Sequence, residues 1–139
     1  MRAGVSLGAA VADNLFVGVT GSGVLGTNRS GEHPAKLDAG FVGPFLHFYA
    51  DWLEGLSCGF EVGYADAVWS LSNEIIGNFS GAGFYFAGGL GMEWPMTDSG
   101  DHALGIGARV TYIRLSDRND SDKKFDAILP SLVMQYTYF

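Results

Sequence analysis

An all-β chain, an up-and-down antiparallel meander or barrel, is predicted by three observations. Period-two alternation of apolar with small or polar residues recurs along nearly all of the 139 residues. Glycine (21) and aromatic residues (ten Phe, six Tyr, three Trp) are abundant, and glycine disfavours helix interiors by about 1 kcal/mol relative to Ala. Apolar residues reach 47% against 17% charged, which argues against disorder. The length suits one domain, 1–139.

Seven alternating segments follow in order. The first, residues 2–12, has Val5, Leu7, Ala9 and Val11 opposite Gly4, Ser6, Gly8 and Ala10. The same stretch carries Arg2 and an Ala-x-Ala at 10–12, so a signal peptide ending before Asp13 is the competing reading. The alternation and the shortness of the apolar run favour a strand. Asp13-Asn14 supplies turn residues. The second segment, 15–25, places Leu15, Val17 and Val19 on one face. The third, 37–50, is apolar on both faces, and Pro44 in its middle should remove one ladder hydrogen bond.

The fourth segment, 56–66, separates Leu56, Cys58, Phe60, Val62 and Tyr64 from Ser57, Gly59, Glu61 and Gly63. The fifth, 79–94, sets Ala82, Phe84, Phe86, Leu90, Met92 and Trp94 against a row of glycines with Tyr85, Ala87 and Glu93. The sixth, 102–115, sets Leu104, Ile106, Ala108, Val110 and Tyr112 against Gly105, Gly107, Arg109 and Thr111. The seventh, 125–139, aligns Ile128, Leu132, Met134, Tyr136 and Tyr138. Short connections (13–14, 51–55, 95–101) alternate with longer ones (26–36, 67–78, 116–124).

One face of the clearest segments is bulky and apolar; the other is small, with isolated charges. A soluble barrel would put the bulk inside and spread charges outside. Too few charges are available for that exterior, and the glycine-rich face fits a cramped interior. The inverted arrangement is therefore expected, with the apolar face towards lipid and the small face inward. In lipid every backbone polar group needs an internal partner, which requires a closed barrel. The formal charge of -7 excludes nucleic acid as a partner class.

Two stretches resemble the small outer-membrane β-barrel domain proteins common in myxobacteria. They are LGAAVADNLFVG (7–18) and GLGMEWPMTDSGDHALGIGARV (89–110). Glu93-Trp94 matches the family's Glu-Trp, Asp98 falls in its periplasmic turn, and Leu104 to Gly107 begin its return strand. The resemblance implies a bacterial outer-membrane location and assembly through the C-terminal strand. It also implies an eight-stranded parent with an upstream signal peptide and a strand preceding the first hairpin here, so this chain would be N-terminally truncated. Phe139 supplies the terminal aromatic of such proteins, although it shares parity with Gln135 and Thr137. The family offers no catalytic residues to carry over.

Glu61, Glu93 and Arg109 share the inward parity and form the candidate polar cluster of the lumen. A lone buried charge is costly, so Arg109 should pair with a carboxylate in a structural plug. A proton or ligand site is the functional alternative. No metal or cofactor is expected. His33, His47 and His102 are scattered, without ligand spacing. GFYFAGGLG (83–91) lacks the Lys and helix of a phosphate loop. DRNDSDKK (117–124) has Asp117, Asn119 and Asp122 but no closing Glu for Ca²⁺. Cys58, the single cysteine, reads as a small apolar strand residue. The expected function is that of a non-enzymatic outer-membrane barrel with the lipid bilayer as its first partner. The alternative is a soluble lipocalin-like barrel holding a small apolar ligand.

Overall fold

The computed structural model describes residues 2–28, 35–50, 52–71, 79–96, 102–120 and 122–138. They form β1 (Arg2–Ala12), β2 (Leu15–Asn28), β3 (Ala35–Tyr49), β4 (Leu56–Leu71), β5 (Phe79–Pro95), β6 (His102–Asp117) and β7 (Lys124–Tyr138). Each strand pairs antiparallel with the next in one sheet of order β1-β2-β3-β4-β5-β6-β7. The sheet is not closed: β1 and β7 are its edges. Residues 2–12 form a strand, joined to β2 through the Asp13-Asn14 turn with a register shift between Ala10 and Ala12.

The strands run further than the alternation predicts, and this changes the connections. β4 continues to Leu71 and β6 to Asp117, while β3 begins at Ala35. The intervals outside strands shrink to 29–34, 72–78 and 118–123, close in length to 50–55 and 96–101. The expected contrast between short and long connections is thus mostly extra ladder, added where Asp, Ser and Lys side chains replace apolar ones in strands that remain paired. His33, Asp98, Asp101 and Phe139 lie outside the described residues.

The ambiguous third segment resolves through register. Val42 pairs with Tyr64 and Phe45 with Glu61, but no bridge joins β3 to β4 at Gly43 and Pro44 between them. The β2 side continues unbroken through Val19–Pro44. Proline's missing N–H accounts for a gap on one side only.

The two faces of the sheet differ sharply. Outward-facing Phe60 (59% exposed), Phe84, Ile106 (55%) and Met134 are bare, as are Val17, Val62, Leu90 and Leu132. Along β4 to β7 the apolar outer rows span 56–64, 84–94, 104–112 and 128–136. These nine- to eleven-residue rows match a tilted transmembrane strand of about 9–11 residues. Aromatic side chains stand at both limits: Tyr64, Phe84 and Tyr112 at one, Phe48, Trp94 and Tyr136 at the other. Beyond the first limit the outer face becomes a charged collar. Lys36 bonds Asp38 at 2.7 Å, Arg114 lies 3.7 Å from Asp126, and Arg118 pairs with Asp66. The Tyr112 hydroxyl donates to Asp126 at 2.7 Å.

The core lies on the concave face, at the collar end. Ala39, Phe41, Ala65, Ala67, Tyr85, Ile113 and Leu115 cluster there, with Leu37, Phe79, Phe125 and Leu129 packed against them. Tyr85 is fully buried and meets Phe41 edge-on, 5.2 Å between centroids. Its ring lies against the bare backbone of Gly63. A Cβ on Gly63 would stand 2.7 Å from the Gly43 Cα and 2.9 Å from Tyr85 Cε1. Gly8 and Gly18 make a similar bed for Phe45, whose ring carbons would lie 2.8 and 2.6 Å from added Cβ atoms. We expect Gly63→Val to cost about 3 kcal/mol through overpacking, the upper end for core insertions. Urea unfolding of the two proteins side by side measures it.

Candidate functional site: a polar lumen

Below the apolar core the concave face turns polar and opens into a groove of about 970 Å³. Both sheet edges border it: Ser6, Gly8 and Ala10 from β1, Val133 and Gln135 from β7. Its charged centre is the ion pair of Arg109 and Glu61, with side chains 17% and 12% exposed. Register explains how residues two strands apart meet. Arg109 on β6 pairs with Gly89 on β5, and Glu61 on β4 pairs with Ala87 on the same strand. The guanidinium therefore crosses β5 over small side chains. The Tyr85 hydroxyl donates to Glu61 at 3.4 Å, tying the pair to the apolar core. Arg109 Nε is buried with no hydrogen-bond partner.

Glu93 does not join this pair. It sits further along β5, where it pairs across to Gly105 on β6. Buried to 5% exposure, it accepts hydrogen bonds from the Tyr49 hydroxyl at 2.8 Å and from Gln135 Nε2. Its backbone N–H donates to the Gly55 carbonyl at 2.8 Å, holding the β3–β4 connection against β5. Gly55 adopts φ 80°, and a Cβ there would reach 2.1 Å from the Glu93 carbonyl oxygen. The three charged residues thus form two centres, where one cluster was expected. The partners Tyr85, Tyr49 and Gln135 were missed; parity alone places Tyr85 and Gln135 inward, but only the register selects the carboxylate each reaches.

His47 stacks on Tyr49 at 4.9 Å, and Phe16 meets Tyr49 edge-on at 5.5 Å. His102 bonds the Tyr136 hydroxyl at the outer surface, far from His47 in the ladder. Asp117 Oδ1 accepts from the Asn119 N–H at 2.7 Å, and Asp120 Oδ1 from the Asp122 N–H at 3.3 Å, so this loop uses its acids for its own turns. Among the described residues no group of three or more His, Cys, Asp or Glu could hold a metal ion. The lumen can satisfy buried charge and admit a small guest from its open side.

Neither a protein-family model nor a curated protein matches the chain.

Proposed function

We propose that this chain forms the wall of a small bacterial outer-membrane β-barrel, without catalysis and without a wide pore, serving the envelope structurally or through its loops. One observation carries the reading: the inside-out sheet. Its convex face is an apolar band of transmembrane length, edged by aromatics and ended by a charged collar, while its carboxylates and guanidinium pair inside. A soluble monomer rarely exposes contiguous apolar patches beyond a few hundred Å², and this band covers successive strands. The interior argues against conduction, since Phe41, Tyr85 and Leu115 fill its collar end. Aromatic girdles around an apolar band of alternating strands are the pattern of outer-membrane barrels, and the 7–18 and 89–110 hairpins resemble one such family.

The test adds urea-unfolded chain to zwitterionic phosphatidylcholine vesicles and follows flotation and protease resistance. The expected result is co-flotation with lipid and protection of the apolar rows 56–64 and 104–112. Recovery of a detergent-free soluble monomer, indifferent to the vesicles, would overturn the reading and favour the soluble ligand-binding barrel.

A further inference from the structure

Positive charge is confined to one end of the sheet, although the chain carries a formal charge of -7. Apart from Arg109 in the lumen, every Lys and Arg falls at the collar ends of strands or in the connections between them. The opposite connections, 13–14, 50–55 and 96–101, contain none and carry acids such as Asp13 and Glu54. Three of the cations stand on the outer face at the depth of a headgroup layer. Arg114 shares a ladder rung with the girdle aromatics Tyr64 and Phe84. Lys124 lies on the next outward-facing rung, with Ser116, Ala82 and Asp66. The Arg118 N–H donates to the Ser80 carbonyl at 2.9 Å, and its guanidinium crosses to Asp66. Two residues of strand advance about 7 Å, and the headgroup region is about 5–7 Å deep on each side of the hydrocarbon.

These cations are loosely held. Arg114 Nε is 3.7 Å from Asp126 Oδ1, which already accepts the Tyr112 hydroxyl at 2.7 Å. The Arg114 and Arg118 side chains are 45% and 54% exposed, and exposed ion pairs are weak. Lys124 is exposed and makes no ion pair among the described residues. Over β4 to β7 the outer collar therefore sets three cations against two acids, Asp66 and Asp126. We propose that Arg114, Arg118 and Lys124 form a docking surface for the phosphate groups of anionic lipids. The guanidinium forks match phosphate oxygens, and the Lys124 ammonium adds a point charge. The acyl chains of the same lipid continue over the apolar band, where Phe84 and Ile128 are 42% and 68% exposed. A free phosphate makes only the first set of contacts; a lipid makes both. The inference rests on the membrane-barrel reading and names the lipid class that the collar selects.

The probe is phosphatidic acid with a fluorescent acyl label, read by energy transfer from tryptophan in micelles of a neutral detergent. Phosphatidylcholine with the same label is the comparison. Expected is association of phosphatidic acid about tenfold tighter or more, weakening as salt is raised. The variant Arg114→Gln/Arg118→Gln/Lys124→Gln should abolish the difference. Lys124→Gln alone, which breaks no ion pair, should reduce it about fivefold, the contribution of one cation near an anionic headgroup. Asp13→Asn/Glu54→Gln at the opposite end should leave it unchanged. Inorganic phosphate at equal concentration should not displace the labelled lipid. The proposal is overturned if Lys124→Gln and a triple variant with native strand circular dichroism both keep the full preference. It is also overturned if inorganic phosphate competes as well as unlabelled phosphatidic acid. Preference for phosphatidic acid in a chain that fails to enter vesicles would sink the membrane reading alone, and insertion without that preference would sink this proposal alone.

Discussion

Replacing Arg109 with Leu is expected to lower unfolding stability by about 3 kcal/mol, the lower end for breaking a buried ion pair. The loss comes from the partner left behind. Glu61 is held among Tyr85, Ala87 and Gly63, with its side chain 12% exposed. It keeps one neutral hydrogen bond, from the Tyr85 hydroxyl at 3.4 Å, when the guanidinium is gone. The open side of the groove lets some water reach it, which sets the figure at the low end. The double variant Glu61→Leu/Arg109→Leu removes both charges and the unsatisfied Arg109 Nε together. Its stability should return to within about 1 kcal/mol of the parent, since replacing a buried pair by apolar groups is often near neutral. Urea unfolding of the four proteins of this cycle in one detergent is the measurement. Equal losses in the single and double variants would show that packing, and not charge, holds this part of the lumen.

Phe60→Arg separates the two solvents the outer face could meet. Phe60 lies midway along the 56–64 row and contacts Gly88, with ring carbons 3.8 Å from where a Cβ would be. In a bilayer an arginine at this depth should cost about 2–4 kcal/mol and reduce vesicle insertion. In water the same change at a site 59% exposed should stay within about 0.5 kcal/mol. The assay compares refolding yield and urea midpoint in vesicles for parent and variant. A stable, fully inserted Phe60→Arg protein would mean that the band does not face hydrocarbon.

The strand pattern was legible because side-chain direction alternates with no reference to the rest of the chain. Phe60 and Val62 face out, and Glu61 and Gly63 in, whatever lies beside β4. Where both parities are apolar, as in β3, that signal vanishes, and pairing with β2 and β4 set the faces instead. Strand ends were hard to read for a related reason. Lys36, Ser116 and Lys124 look like loop residues, yet each sits in a ladder, because backbone hydrogen bonds do not depend on side-chain polarity.

By itself the sequence determined seven alternating strands, which residues point together, and the inward parity of Glu61, Glu93 and Arg109. The tertiary structure alone decided that Arg109 reaches Glu61 across β5, that Glu93 belongs to Tyr49 and Gln135, and that β1 and β7 do not pair with each other. Parity is a property of neighbours along one chain. Which groups meet across a lumen depends on register and curvature, summed over every strand between them.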